Sequence, residues 1–388
     1  MRVPNPKSIL VILTSRGGGD RPPAVALACG LRDRGHRVAV LCDVDSVGFI
    51  ASTSLPTITF PEALHKKRGF ITRWIMRLEE SGGEPDGDWP NPLVEWAKPL
   101  MPSSLRAISE FKPDLMVGSL FCIGLAQQLS AHSGTPWCFL NPSFYFGDYA
   151  TSDWEADFYG PFLPRCLRDC FVPLIRQADV VLHATDPVFD FQPTHLPENH
   201  HYVGFLLWEP HMEIAEFLKE PGSSWALITL SSVAQKDEVV LARSALEALS
   251  DRPVRTLLTQ PDEDIQHELG AIPDNATVAG FVPHTPVLKK SSIVISHAGH
   301  GIVSKSQRYG VPMVLLPWDR DQPGVAARAE RLGVAQVVPR AYANPEAVER
   351  AVNAVFDDPR YREAAALHSE RLEAIDSVAI ACNVLEEM

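Results

Sequence analysis

The sequence lacks long uncharged apolar runs and is poor in positive charge. Its 388 residues include 48 aspartates and glutamates but only 35 lysines and arginines, which gives a formal net charge of −13. No apolar stretch approaches the ~20 residues that a membrane-spanning helix needs, and the first one, residues 8–13, runs into glycines rather than into a signal-peptide cleavage site. We therefore expect a soluble protein. Nucleic acid is not an expected partner, because no basic excess is available to displace counterions from phosphates.

Paired cysteines are also lacking. The seven cysteines are odd in number and include no C-x-x-C pair, which is typical of the reduced, mostly buried thiols of a cytoplasmic protein. Cys166 and Cys170 are four residues apart and would fit one helix face. Two ligands do not make a zinc site, so we expect these two side chains to pack in a core.

What the sequence does contain is a regular alternation of short apolar strands and helical segments. The predicted strands of the first half are residues 9–13, 37–43, 113–119, 178–185 and 199–207, with a helix over residues 22–34. The pattern restarts with strands at residues 225–231 and 255–260 and a helix over residues 236–249. Continuous apolar strands joined by helices predict parallel sheets that are covered on both faces.

The two halves are separated by a segment with the composition of a linker. Residues 208–224 contain two prolines, a glycine and several charges. We predict an α/β protein with two Rossmann-like, doubly wound domains, residues 1–207 and 225–365, that face a central cleft. A C-terminal helix over residues 366–388 is expected to cross back to the first domain. Ligands of such sheets bind at the carboxyl ends of the strands.

Two loops after apolar strands carry candidate functional residues. The first reads SRGGGD, so that Asp20 stands where a helix begins. Aspartate is a favoured N-cap and Pro22-Pro23 suit a first helical turn, so capping is one explanation of this residue. The second loop, after Ile295, reads SHAGHG with no acid nearby. A phosphate could bind the free N–H groups and the positive helix end there, although an ordinary helix start also explains the glycines.

The residues around the second loop form a more specific pattern. GFVPHTPVLKKSSIVISHAGHG (residues 280–301) followed by YGVPMVLLPWDRDQP (residues 309–323) closely resembles the donor-binding signature of the family 1 nucleotide-sugar glycosyltransferases, which have the GT-B fold. Gly19-Asp20 and the prolines and alanines that follow resemble the start of the bacterial antibiotic and sterol branch of that family.

The resemblance implies an inverting O-glycosyltransferase, a hexosyltransferase of the EC 2.4.1 type. Such an enzyme moves a hexose from a UDP- or dTDP-sugar to a hydroxyl of a small hydrophobic acceptor, such as a natural product or a lipid. The acceptor is expected in the N-terminal domain and the nucleotide-sugar donor in the C-terminal domain. The implied donor-binding residues are Ser232, Phe281, Val282, His297, Gly299, Gly301, Ile302, Trp318, Asp321 and Gln322.

Individual roles follow from the same resemblance. Phe281 would stack on the nucleobase and His297 would donate to a phosphate oxygen. Asp321 and Gln322 would bind sugar hydroxyls. Asp319-Arg320-Asp321 also spells a D-x-D, which holds a metal in another glycosyltransferase fold. Because a helix N-terminus and His297 would already receive the leaving pyrophosphate, we expect no metal and no cofactor.

The resemblance makes Asp20 the catalytic base. Relatives with histidine at this position pair it with an aspartate after a later strand, where this chain has Ser119. Asp20 is therefore expected to act alone. A carboxylate with the ordinary pKa of ~3.9 is a weak base unless desolvation raises that pKa.

Two positions depart from the signature of enzymes that use UDP-sugars. Ile302 and Lys305 stand where those enzymes have a hydroxyl and a glutamate that binds the ribose. Members of the antibiotic branch that use dTDP-deoxysugars often lack this glutamate, because their nucleotide has no 2′-hydroxyl. The nucleotide is thus left open. For Lys305 we expect one of two roles: it pairs with a phosphate or carboxylate of the sugar donor, or it points to solvent.

The acceptor is indicated only by aromatic composition. Residues 141–162 are rich in aromatic side chains, as suits an apolar pocket. The candidate acceptor-binding residues are Trp74, Trp96, Ser119, Phe144 and Phe146. Residues 65–77 mix basic and apolar residues and form either a membrane-surface helix or a solvated helix over the cleft.

Two alternative functions remain open at this point. The first is a catalytically disabled relative that binds a donor or a partner protein, which Ile302 and Lys305 favour. The intact His297 and Asp20 oppose it. The second is a membrane-associated lipid glycosyltransferase with peripheral membrane contact, which residues 65–77 would support.

Overall fold

The computed structural model describes residues 5–15, 19–60, 91–145, 165–193, 195–219, 224–231, 238–260, 267–318 and 321–388. The chain forms two compact units. The first unit comprises residues 1–210 together with residues 376–388, and the second comprises residues 211–375.

The described residues contain thirteen strands and fourteen α-helices. The strands are β1 Ser8–Ile12, β2 Arg37–Cys42, β3 Thr57–Thr59, β4 Leu115–Gly118, β5 Trp137–Asn141, β6 Val180–His183, β7 His200–Tyr202, β8 Trp225–Thr229, β9 Arg255–Thr259, β10 Ala276–Ala279, β11 Ser291–Ser296, β12 Met313–Leu315 and β13 Ala335–Val337. The helices are α1 Arg21–Asp33, α2 Val44–Ile50, α3 Pro92–Ala97, α4 Met101–Phe111, α5 Ile123–Ser133, α6 Arg165–Ile175, α7 Glu216–Lys219, α8 Glu238–Leu249, α9 His284–Leu288, α10 His300–Arg308, α11 Gln322–Arg331, α12 Pro345–Asp357, α13 Pro359–Glu373 and α14 Ser377–Glu387.

Each unit is built on one parallel sheet. The strand order is β3-β2-β1-β4-β5-β6-β7 in the first unit and β10-β9-β8-β11-β12-β13 in the second, and every described strand pair is parallel. The central strands are buried along nearly their whole length, as in LMVG of β4 and WALIT of β8. Such strands need no alternation of polar and apolar residues, because helices cover both faces of the sheet. The predicted pair of Rossmann-like domains is confirmed.

The strand order reverses at one point in each sheet. In the first unit the chain leaves β1 toward β2 on one side and later returns to β4 on the other. In the second unit β8 and β11 have the same relation. Loops that leave such a pair of strands diverge and open a crevice at the carboxyl end of the sheet, where ligands of doubly wound folds bind. The loops after β1, β4, β8 and β11 are therefore the candidate site loops.

The C-terminal helix α14 belongs to the first unit and packs against α1. The contact is close at Gly30, where an added Cβ would lie 2.2 Å from Cγ1 of Val378. Lys7 strengthens this attachment, since its Nζ donates to the carbonyls of Leu385 and Glu386 at 3.1 Å. Only a residue without a side chain lets the two helix backbones approach this closely.

Several boundaries differ from the sequence-based predictions. The predicted linker contains the short helix α7, and the predicted C-terminal helix is two helices, with Asp376 capping the second one. The edge strands β3 and β13 were not predicted, because three residues carry too little periodic signal. Helix α10 begins at His300, inside the glycine-containing loop rather than after it.

Candidate active site

In the first unit, Asp20 lies between β1 and α1 at the point where the strand order reverses. The helix begins at Arg21, and the prolines that follow suit the first turn. Asp20 occupies the N-cap position, but its side chain makes no capping hydrogen bond. The side chain is instead 3% exposed and turned into the protein. Capping as the explanation of this aspartate is therefore wrong.

The partner of Asp20 is Ser119, which follows β4. Strands β1 and β4 are neighbours, and Ser119 N donates to the carbonyl of Ile12 at 2.9 Å. This pairing brings Oγ of Ser119 within 3.2 Å of Oδ2 of Asp20, to which it donates. The expectation that Asp20 acts alone is thus incomplete, because the residue in the place of the family's aspartate contacts the carboxylate directly.

The second oxygen of Asp20 is buried and lacks a hydrogen-bond partner. Among the described residues, nothing donates to Oδ1. Buried carboxylate oxygens are nearly always hydrogen-bonded, so an orphaned one needs an explanation. A bound molecule that brings an O–H group to this oxygen would supply the missing bond.

Burial raises the pKa of Asp20 to about 6. The hydrogen bond from Ser119 and the positive charge of Arg21 act in the opposite direction, and the charge of Asp43 adds to the effect of burial. Because base strength rises with pKa, this carboxylate is a stronger proton acceptor than an ordinary surface aspartate. It is still mostly ionised at pH 7.

In the second unit, the loop after β11 forms the corresponding feature. His297 and Ala298 are buried, and Ala298 has a φ of 65°, a left-handed conformation that is unfavourable for alanine. Gly299 is the N-cap residue of α10. A Cβ at Gly299 would lie 2.7 Å from Nε2 of His297, so any other residue here would displace the histidine ring from its present position. The structure therefore holds this loop in one tight conformation.

Gly301, in the first turn of α10, differs from Gly299. An added Cβ would meet no atom within 4 Å, and the φ of Gly301 is not positive. Neither packing nor backbone conformation thus explains why this helical position lacks a side chain. The open space next to the first turn would let a ligand approach the backbone closely.

The electrostatics of this helix end favour an anion. The first turn of α10 contains no acidic residue, and its N-cap residue, Gly299, has no side chain with which to cap the helix. Burial, together with the charge of Arg328, lowers the pKa of His300 to about 3, so this histidine is neutral. The uncapped N–H groups and the helix dipole make this end of α10 suitable for a phosphate. The side chain of Ile302 is 8% exposed and offers a ligand little surface.

The loop after β12 is held by Gln322, the first residue of α11. Its Oε1 accepts a hydrogen bond of 2.8 Å from the backbone N of Trp318. Nε1 of Trp318 is buried without a hydrogen-bond partner among the described residues, and the Arg340 guanidinium lies 5.5 Å from its ring centroid. Asp321 precedes the helix and does not cap it.

Phe281 follows β10 and is 61% exposed. An exposed phenylalanine at the carboxyl end of a strand has the form of a stacking surface for a flat ring. The next residue, Val282, is half-buried. His284 anchors the segment that follows, through a 3.1 Å contact between its Nε2 and Oγ1 of Thr259.

The candidate acceptor residues are only partly described. Trp96 is half-buried in α3. Phe144 is 2% exposed, and its carbonyl accepts a 2.8 Å hydrogen bond from Asn141. Some candidates lie outside the described residues: the donor candidate Ser232, the acceptor candidates Trp74 and Phe146, Asp319 of the D-x-D, and residues 65–77.

Neither a membrane span nor a metal cluster is seen in the part of the chain that the structure describes. None of its helices is long and apolar enough to cross a membrane. None of its groups of histidine, cysteine and acidic side chains has the arrangement of a metal site.

Comparison with known proteins relates this geometry to sugar transfer. Residues 245–384 match the family model of the C-terminal domain of erythromycin biosynthesis protein CIII-like proteins. Over 441 aligned positions the chain is 26% identical to O-mycaminosyltylonolide 6-deoxyallosyltransferase of Streptomyces fradiae, and the alignment covers 97% of both proteins.

Solved structures share the fold over the whole chain. The glycotransferase of kitacinnamycin has a TM-score of 0.77 at 21% identity, with 99% of each chain covered. The spinosyn rhamnosyltransferase complexed with spinosyn aglycone has a TM-score of 0.73 at 19% identity, covering 97% of this chain and 99% of that one. The same enzyme complexed with thymidine diphosphate has a TM-score of 0.70 at 18% identity, and the comparison covers both chains fully.

Two Rossmann-like units and these similarities define a glycosyltransferase of the GT-B fold. The same similarities support an assignment to the family 1 nucleotide-sugar glycosyltransferases, in their bacterial antibiotic-type branch. The family and the enzyme class predicted from the two sequence motifs are thereby confirmed.

Proposed function

We propose that this enzyme is an inverting, metal-independent O-glycosyltransferase that transfers a hexose from a nucleotide-diphosphate sugar to a hydroxyl of a small hydrophobic acceptor. The observation that carries the proposal is Asp20, a buried carboxylate at the carboxyl end of the first sheet. One of its oxygens accepts a hydrogen bond from Ser119, and the other has no donor among the described residues. The names of the similar proteins, which include a 6-deoxyallosyltransferase and a rhamnosyltransferase complexed with an aglycone, support a hexose and a natural-product acceptor.

In this mechanism the acceptor hydroxyl donates its proton to Oδ1 of Asp20. As the O–H bond breaks, the oxygen attacks the anomeric carbon from the side opposite the pyrophosphate, and the bond from that carbon to the phosphate oxygen breaks. A single displacement of this kind inverts the anomeric centre. The hydrogen bond from Ser119 holds the carboxylate in one orientation, and the raised pKa of Asp20 favours proton uptake.

The second unit binds the donor in this proposal. The uncapped first turn of α10 receives the diphosphate, and its positive end stabilises the charge that develops on the leaving group. The space at Gly301 lets the phosphate approach the backbone. Phe281 stacks on the nucleobase, and Asp321 with Gln322 binds sugar hydroxyls.

The nucleotide is a uridine or thymidine diphosphate. Support for the latter comes from the spinosyn rhamnosyltransferase, which was solved with thymidine diphosphate. Lys305 lies on α10, one turn after Gly301, and is half-buried. A lysine adds positive charge to this helix and offers no acceptor for a ribose diol, so we propose that the enzyme discriminates little between the two nucleotides.

The decisive experiment is Asp20→Asn with Asp33→Asn as the matched control. Asp33 is an exposed aspartate at the opposite end of the same helix. Asp20→Asn should lower turnover by about 100-fold or more while leaving donor affinity unchanged, since only proton transfer is lost. Asp33→Asn should behave as the wild type. Unchanged turnover of Asp20→Asn would reject the base assignment.

Two further assays address the remaining parts of the proposal. Activity should survive EDTA, whereas loss with EDTA and recovery with manganese would revive a metal role for Asp319 and Asp321. Flotation with liposomes distinguishes a soluble acceptor from a membrane lipid, because only a lipid glycosyltransferase with a membrane-surface segment should float. The disabled-relative alternative is disfavoured by the intact base site.

A further inference from the structure

A second buried carboxylate, Asp43, stands beside the base site. It follows β2, the strand that pairs with β1 on the side away from β4. Leu13 N donates to the carbonyl of Leu41 at 3.0 Å, so the segments that leave the two strands run next to each other. Asp43 is 5% exposed.

The two oxygens of Asp43 hold two different segments. Oδ2 accepts hydrogen bonds from Oγ1 of Thr14 at 2.6 Å, and from N and Oγ of Ser15 at 2.8 and 2.7 Å. Oδ1 accepts from N and Oγ of Ser46 at 3.0 and 2.5 Å, and so caps α2. The carboxylate thus ties the loop after β1 to the first turn of α2.

Five donors saturate a carboxylate, which offers about four lone-pair directions. Burial alone would raise the pKa of Asp43, but the hydrogen bonds from Ser46, Thr14 and Ser15 bring that pKa below its ordinary value. Asp43 therefore stays negatively charged over the pH range in which Asp20 gains and loses its proton. The neighbouring environments move the pKa values of the two carboxyls apart.

We propose that Asp43 is a positioning residue for the catalytic base. By holding Thr14 and Ser15, it fixes the beginning of the loop that ends at Asp20, while α1 and Ser119 fix its end. This inference rests on the proposed function of Asp20. Without Asp43, the donors of Thr14 and Ser15 lose a shared acceptor, and these two residues lose the hydrogen bonds that tie them to the first turn of α2.

The charge of Asp43 also acts on Asp20 directly. It raises the pKa of Asp20, in opposition to Arg21. The buried thiol of Cys122 also faces the base, but its pKa is raised well above the ordinary value by burial and by Asp20, so it stays neutral. The thiol of Cys42 is also neutral, because burial and the charge of Asp43 raise its pKa to about 12. Removal of the Asp43 charge should therefore lower the pKa of Asp20.

The first test leaves Asp43 in place and removes its donors. The double variant Thr14→Val, Ser15→Ala deletes both hydroxyls on the loop side, whereas Ser46→Ala, the matched control, deletes the hydroxyl on the α2 side. We expect the double variant to lose about tenfold in kcat at unchanged donor KM, because a misplaced base reacts slowly. Ser46→Ala should keep kcat within about twofold of the wild type even if its melting temperature falls, because the loop side is untouched.

The second test is the pH profile of Asp43→Asn. Asparagine is also a favoured N-cap, so α2 should keep its first turn. The acidic limb of kcat/KM should move to lower pH in this variant, and it should stay in place in Ser46→Ala. If Asp43→Asn does not fold, the double variant decides the question.

The outcomes separate the two proposals. Full turnover in Asp20→Asn would reject the base itself. An inactive Asp20→Asn together with a double variant as active as Ser46→Ala would leave the base assignment standing and overturn the positioning role of Asp43.

Discussion

The two glycines at the start of α10 allow a sharp test of where the donor phosphate binds. In the wild-type protein, a Cβ at Gly301 would meet no atom within 4 Å. Alanine at a helical position is favoured over glycine by about 0.5–1 kcal/mol. Gly301→Ala should therefore stabilise the protein, and raise the melting temperature by about 1–4 °C, if the second unit unfolds as a domain of 150–250 residues.

The same variant should weaken nucleotide binding. If a phosphate uses the space next to the first turn, the new methyl group displaces it from the backbone N–H groups. Loss of one or two hydrogen bonds to a charged group costs about 1.5–3 kcal/mol each, which corresponds to at least a tenfold rise in Kd. Stability and affinity should therefore change in opposite directions.

Gly48→Ala is the matched control, because Gly48 is also helical and its Cβ would also meet no atom within 4 Å. This residue lies in α2 of the first unit. Thermal unfolding without ligand, followed by calorimetric titration with UDP and dTDP, measures both effects. The control should gain stability and keep the affinity of the wild type. Wild-type affinity in Gly301→Ala would refute the placement of the phosphate at this turn.

Two further predictions concern charge. The wild type should bind UDP- and dTDP-sugars of one hexose with affinities within about tenfold of each other. Lys305→Glu should shift the preference toward UDP, because glutamate offers an acceptor to the ribose diol. A strong UDP preference in the wild type that the variant does not change would show that another residue holds the ribose. Burial lowers the pKa of His183 well below its ordinary value and that of His200 to about 4, so the unfolded chain binds protons that the native state does not, and stability should fall as the pH drops from about 6.5 to about 4. The raised pKa of Asp20 has the opposite effect on stability in this pH range. The urea midpoint of His183→Gln should therefore be compared with that of the wild type at each pH. If the difference between the two midpoints does not change with pH, His183 does not contribute to the loss of stability.

Much of this protein was predictable from local patterns. Apolar runs such as residues 9–13 and 225–231 predict buried parallel strands, because a strand covered on both faces has no solvent side. The two motifs, residues 19–23 and 280–323, indicate the family, since glycines, histidines and acids at set spacings are needed for its chemistry. The edge strands β3 and β13 and the break between the last two helices were missed, because such short segments carry too little periodicity.

Tertiary structure alone decided the chemistry of the base. Nothing in the sequence near Asp20 shows that its side chain leaves the helix end or that Ser119, 99 positions away, donates to it. Nor does it show that one carboxylate oxygen has no donor in the described part of the chain. Asp43 likewise looks like a plain helix cap in the sequence, and only the pairing of β1 with β2 brings Thr14 and Ser15 onto its second oxygen. Desolvation and hydrogen bonding depend on which segments meet in space, and here segments far apart in the chain set the pKa values of both carboxylates.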